Sequence, residues 1–142
     1  METIARILVV DDEERFRKSM VRILKSKGYV VDEACDGMDA LNKLATGGFD
    51  VVLLDLKMPE LSGEETYNEI RLQGFDVETI CLTGHVSINE ATQLLQRGVF
   101  DYLVKPASVE EIITAVQRAM DKKQLRNNEI EIDQLFKNPA VN

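Results

Sequence analysis

Two short, almost wholly apolar runs, IARILVV (4–10) and VVLLDL (51–56), constrain this chain more than any other feature, and VETICL (77–82) is strand-like as well. The first two are rich in β-branched residues and apolar at odd and even positions alike, the pattern of strands buried on both faces. Between them the spacing turns helical. Phe16, Met20, Ile23 and Leu24 recur at i, i+4, i+7 and i+8, with Gly28 placed to end the helix. Met38, Leu41, Leu44 and Ala45 mark a second helix, stopped by Gly47-Gly48. Ser62 with Glu65, Ser87 with Glu90 and Ser108 with Glu111 carry the Ser-x-x-Glu spacing of a capping box, giving three further helix starts. Residues 30–35 and 102–104 supply two more strands. Five strands therefore alternate with five helices. Parallel neighbours need crossover connections, so the expectation is an α/β fold: a five-stranded parallel sheet, doubly wound, with helices on both faces.

A chain of 142 residues suffices for one domain with its own core. Its formal net charge of −8 repels nucleic acid, so direct nucleic-acid binding is not expected. Cys35 and Cys81 lack CxxC spacing and stand in apolar stretches, which predicts two buried thiols in a reducing compartment. One histidine, His85, cannot build a histidine-based zinc site. No apolar run approaches a membrane span, and Met1-Glu2-Thr3 does not open a signal peptide, so a cytoplasmic location without membrane contact is expected. After Lys122 the composition turns polar, and Ile130, Ile132, Leu135 and Phe136 are too few for a second core. The domain is accordingly assigned to residues 1–124. Residues 125–142 are expected to be a polar tail, a frayed helix extension or the start of a linker, with a helical dimer contact as the sharper alternative.

Ligands of an open α/β sheet bind beyond the carboxyl ends of its strands. The polar residues found there are Asp11 and Asp12 after the first strand, Asp55 after the third, Thr83 after the fourth and Lys105 after the fifth. Each has an ordinary explanation alone: Asp-Asp can cap a helix, Thr83-Gly84 can turn, and Lys105-Pro106 can begin a loop. Asp55 resists such treatment, because an ionisable group inside VVLLDL needs a partner or a purpose. Three carboxylates on one rim repel one another, and a hard divalent cation with oxygen ligands, magnesium above all, is the natural compensation. A lysine ammonium and a threonine hydroxyl complete a set suited to phosphoryl transfer.

The segments ILVVDDE, VVLLDLKMPELSG, CLTGH and FDYLVKP, in this order and spacing, resemble the receiver domain of two-component response regulators, from about Ile4 to Ala119. The resemblance implies the flavodoxin-like (βα)5 fold and a role for each matching residue. Asp55 corresponds to the phosphoacceptor. Asp12 corresponds to the direct acidic metal ligand and Asp11 to a residue that holds the metal or its waters, together with Asp55 and the backbone carbonyl of Lys57, the metal being Mg2+ with Mn2+ as a substitute. Lys105 would pair with Asp55 and then with the phosphoryl oxygen, which Thr83 would also bind. Tyr102 corresponds to the switch aromatic, for which the plain reading is a half-buried ring with its hydroxyl in water. Pro59 and Gly63 match the M-P-x-x-x-G loop, and Lys105-Pro106 a bond that is cis in the family. Ala107 departs from the phenylalanine frequent after that proline.

The implied partners are a sensor histidine kinase or phosphotransfer protein and an output domain or downstream protein. A homodimer through the fourth and fifth helices is also implied. The stretch TGHVSINEATQLLQRGVFDYLVKP further resembles receivers joined to ATPase-type transcription activators. An enzyme of the haloacid dehalogenase type would place an aspartate two residues after Asp55, where Lys57 stands, so turnover as a phosphatase is not expected and any autodephosphorylation should be slow. A nucleotide-binding module lacks its glycine-rich loop after the first strand. A receiver-like interaction module that is never phosphorylated is the remaining alternative. In the receiver reading, Lys57 and His85 flank the acyl phosphate and tune its lifetime.

Overall fold

The computed structural model describes residues 4–84 and 87–137. Its elements are β1 (Arg6–Val10), α1 (Glu14–Ser26), β2 (Val30–Ala34), α2 (Gly37–Leu44), β3 (Val51–Leu54), α3 (Gly63–Leu72), β4 (Glu78–Thr83), α4 (Ile88–Gln96), β5 (Asp101–Val104) and α5 (Val109–Lys137). The strands form one parallel sheet in the order β2-β1-β3-β4-β5. In register, Val10 lies beside both Ala34 and Leu54, Leu54 beside Cys81, and Thr83 beside Val104. This alignment brings the carboxyl ends of the strands onto one rim.

Alternation along each strand divides the core into two halves. Ile7, Val9, Val51, Leu53, Ile80 and Leu82 pack with Met20, Val21 and Leu24 of α1 and with Ile112, Val116 and Ala119 of α5. Leu8, Val10, Val52, Leu54 and Cys81 pack on the other face with Leu41 and Leu44 of α2, Tyr67 and Ile70 of α3, and Leu94 of α4. The central strands thus bury both faces, as their unbroken apolarity requires. Each fully buried Leu or Ile contributes about 1.5–3 kcal/mol, which sets the scale on which this sheet is held.

The helix starts follow their capping signals. Ser62 and Glu65 form a complete capping box, and Ser108 and Glu111 exchange backbone and side-chain bonds in the same way. Ser87 accepts from the Glu90 N–H at 3.1 Å. Asp36, flagged by no earlier pattern, caps α2 by accepting from the Asp39 N–H at 2.7 Å. That cap sets the phase of α2. Gly37, Ala40, Leu41 and Leu44 turn inward, whereas Met38 and Ala45, expected on the apolar face, are exposed.

Cys35 corrects a second expectation. Cys81 is fully buried, but Cys35 is exposed, because β2 ends at Ala34 and the chain turns out toward the cap of α2. Its Sγ instead faces the Asp36 carboxylate at 3.8 Å.

Beyond Lys122 the polar stretch continues α5 as regular helix to Lys137. Three cations fasten the helix to the amino-terminal edge of the sheet. Lys123 Nζ lies 2.8 Å from Asp50 and 3.1 Å from the Phe49 carbonyl oxygen. Arg126 pairs with Asp76 and with the buried carboxylate of Glu78, which Lys122 also approaches. With no glycine or proline between Val109 and Lys137, no helix breaker ends α5 earlier. Asn138-Pro139 and Met1-Glu2-Thr3 lie outside the described residues.

Gly63 opens α3 directly behind the end of β3, donating its N–H to the Leu56 carbonyl at 3.2 Å. A Cβ there would collide with the carbonyl oxygen of Asp55 and the Cα of Leu56, both backbone atoms that cannot swing aside. Gly63→Ala should therefore destabilise the fold by about 1–3 kcal/mol, read as a lower urea midpoint at unchanged slope. A midpoint equal to that of the parent chain would show that the loop yields.

Candidate functional site

Because β1 and β3 are neighbours in register, the residues that follow them meet at the rim. The Asp11 N–H donates to the Ala34 carbonyl at 3.2 Å and the Asp55 N–H to the Val10 carbonyl at 3.0 Å, so main-chain bonds seat both residues. Asp11 is 2% and Asp55 6% exposed, whereas Asp12 faces solvent. One carboxylate oxygen from each of the three lies within 4.8 Å of the others.

Lys105 enters from the end of β5, where its N–H donates to the Thr83 carbonyl at 2.8 Å, and the Lys105–Pro106 bond is cis. Its ammonium sits 2.7 Å from Asp11 Oδ2 and 3.9 Å from Asp55 Oδ2. Asp11 is therefore its nearer partner, although the resemblance had implied Asp55. The ring of Phe16 lies under the same ammonium, 4.0 Å from it, a cation–π contact that shields the charge from water.

Burial pushes the Asp55 carboxyl up to about 6. That value already includes the charges of Asp11 and Asp12, which act in the same direction, and the opposing pull of the Lys57 N–H, donating at 3.1 Å, and of Lys105. One ammonium facing three carboxylates leaves a negative excess on hard oxygen donors. That donor set fits a hard divalent cation such as Mg2+, which takes carboxylates in an octahedral shell and retains waters.

Two hydroxyls near the rim complete the picture. Thr83 is fully buried, and its Oγ1 has no hydrogen-bond partner among the described residues. The same holds for the hydroxyl of Tyr102, a half-buried residue whose ring packs against the core on the α4 side. That hydroxyl is buried rather than in water, and desolvation moves its pKa up to about 12. Unpaired buried hydroxyls each cost about 1–3 kcal/mol, so both are poised to gain from a new acceptor or a second packing.

Among the remaining predicted residues, Lys57 exposes its side chain, Pro59 lies in the exposed loop between β3 and α3, and Gly63 is buried at the start of α3. His85 lies outside the described residues. Sequence reasoning overlooked Arg17, a buried guanidinium that donates to the Asp11 carbonyl oxygen at 2.8 Å. Its signal was available, since a charged residue three and seven positions before Met20 and Leu24 falls on the apolar stripe of α1.

Residues 7–117 match the profile of the response regulator receiver domain. The response regulator MprA of Mycobacterium ulcerans is 37% identical over 124 residues, covering 87% of this chain and 53% of the relative. The chain thus spans about half the length of the curated relatives it matches. A receiver domain protein from Clostridium thermocellum superposes with a TM-score of 0.81 at 32% identity, over 86% of this chain and 98% of that one. The response regulator TrrA of Thermotoga maritima, crystallised in complex with Mg2+-BeF, gives a TM-score of 0.73 at 35% identity, over 82% of this chain and 99% of that one. Sheet order, rim chemistry and these likenesses agree, and the chain belongs to the response regulator receiver domain family.

Proposed function

We propose that this receiver is a phosphorylation-driven switch in which Asp55 accepts a phosphoryl group. The observation that carries the reading is the meeting of the Asp11, Asp12 and Asp55 oxygens with the Lys105 ammonium at a largely buried rim. The donor would be a phosphohistidine on a sensor kinase or phosphotransfer protein. An Asp55 carboxylate oxygen attacks phosphorus, a P–O bond forms as the P–N bond breaks, and the leaving imidazole keeps the electron pair and takes a proton. Asp11, Asp12, Asp55 and the backbone carbonyl of Lys57 are the residues that would hold Mg2+, or Mn2+ in its place. When bound, the metal supplies positive charge against the phosphoryl oxygens.

Lys105, already within 4 Å of both buried carboxylates, needs only a short swing to reach a phosphoryl oxygen on Asp55. Thr83 offers its unpartnered hydroxyl to the same group, and Tyr102 changes packing in response. A new dianion that gains bonds in one of two packings shifts their balance. With Lys57 where a phosphatase would carry an acid, no carboxylate activates water and the acyl phosphate persists as a signal. Ile88 and Leu95 of α4, Val104 of β5 and Val109 of α5 expose apolar surface, supporting this face as the contact for an output domain, a downstream protein or a second copy. Residues 1–124 form the switch, and the α5 extension continues beyond it to Lys137. A cytoplasmic location fits a kinase-fed switch, and no helix among the described residues is long and apolar enough to cross a membrane.

Incubation with a small acyl-phosphate donor and Mg2+ should add one phosphoryl group by intact mass, and Asp55→Ala or a chelator should abolish it. Undiminished modification of Asp55→Ala would overturn the assignment. A wild-type chain that accepts phosphate from neither small donors nor a cognate kinase would support the unphosphorylated interaction module instead.

Asp55 also predicts a pH dependence. Its folded pKa of about 6 lies above its ordinary 3.8, so the folded state binds the proton more tightly than the unfolded one. The associated stability is fully present below about pH 4 and lost as pH rises through 6. In the presence of chelator, Asp55→Asn should therefore be more stable than wild type by about 1–3 kcal/mol at pH 7.5, with the advantage gone at pH 4. Denaturant titrations at the two pH values measure this, and equal gains at both would mean that charge is not the cause.

A further inference from the structure

We propose that Arg17, braced by Glu33, is a positioning residue that holds Asp11, the carboxylate that would hold the metal or its waters, in place when Lys105 turns toward the phosphoryl group. The proposal rests on the receiver reading above and deepens it. Asp11 is held at four points. Its N–H donates to Ala34, its Oδ1 accepts from the Glu13 N–H at 2.8 Å, its Oδ2 accepts from Lys105 at 2.7 Å, and its carbonyl oxygen accepts from Arg17 Nη1 at 2.8 Å. The Lys105 bond is the one that phosphorylation weakens, since that ammonium gains a competing anion. The Arg17 bond is to the main chain and does not compete with the phosphoryl group.

The guanidinium is itself fixed. Arg17 is 9% exposed on the inner face of α1, and its Nε donates to Glu33 Oε1 at 2.8 Å. Glu33 stands on β2 in register with Val9, two residues before Asp11, and also receives Lys18 at 2.9 Å. One planar fork thus joins α1, β2 and the residue that follows β1. A lysine ammonium lacks the second arm needed to serve a carboxylate and a carbonyl at fixed angles. The hydrogen bond from Arg17 holds the Glu33 carboxyl below the usual range, so the brace is charged throughout neutral pH.

Calorimetric titration of Mg2+ into the full chain, paired with thermal unfolding, tests the assignment. Arg17→Met should weaken Mg2+ binding by about tenfold, the scale of losing an outer-shell partner of a metal ligand, and Arg17→Lys should restore part of it. Lys18→Met, which removes the other cation on Glu33 without touching Asp11, should leave the affinity within about twofold. At saturating Mg2+, phosphorylation of Arg17→Met by the small donor should recover most of its maximal rate, the loss residing in the metal half-saturation. A folded Arg17→Met chain with wild-type affinity would overturn the proposal, since a merely structural Arg17 would move the unfolding temperature alone. Should Arg17→Met not fold, Glu33→Gln reads the same quantity: about threefold weaker binding supports the brace, and unchanged affinity rejects it. A wild-type chain that binds no Mg2+ would instead reject the proposed metal-dependent phosphorylation switch, and the brace with it.

Discussion

Mutual repulsion among three carboxylates at the end of a buried sheet governs how the rest of this molecule is built. Asp11 and Asp55 are nearly excluded from water, and among the described residues a single ammonium, Lys105, pairs with these two while Asp12 adds a third negative charge. Burial alone makes an unpaired carboxylate costly, and the raised pKa of Asp55 is the sign that compensation is incomplete. The same shortfall that strains the site makes it receptive to a hard cation. A better-balanced cluster would be more stable and less able to bind one.

Such a cluster needs a frame that does not yield, and the parallel sheet supplies it. Main-chain bonds seat Asp11 and Asp55 beside Ala34 and Val10, while the two halves of the core grip the strands from opposite faces. Gly63 lets α3 begin against the backbone that carries Asp55. Far from the rim, Lys123 and Arg126 tie α5 to the amino-terminal edge of the sheet through Asp50, Asp76 and Glu78. The helix that leaves the domain is therefore attached to the strands whose other ends carry the site, and its direction is set by the body rather than by its own weak tendency to stay helical.

Against this rigid frame stand three buried hydroxyls that have no hydrogen-bond partner among the described residues, those of Thr79, Thr83 and Tyr102, of which the last two lie near the rim. Tyr102 packs on the side of the sheet that faces α4. A site that gained an anion would find donors there already desolvated. The two-state switch proposed above would draw on such local dissatisfaction within an otherwise saturated structure.

Much of this was legible in the residues alone. Unbroken apolar strands implied a sheet buried on both faces, Ser-x-x-Glu placed three helix starts, and an aspartate in VVLLDL had no reading as core. The identities of Asp11, Asp12, Asp55, Thr83 and Lys105 followed from asking what comes after each strand, because local patterning is written in local sequence. Contacts between distant segments were not. That Lys105 prefers Asp11 to Asp55, that Cys35 faces out, that Tyr102 buries its hydroxyl and that Arg126 ties the start of the polar stretch to Asp76 and Glu78 all depend on which groups meet across the fold. Charge partners and solvent exposure are properties of three-dimensional neighbourhoods, and neighbourhoods form only when the chain has closed. The sequence by itself determined the kind of fold and the chemistry at its rim, and the tertiary structure decided how those charges are shared.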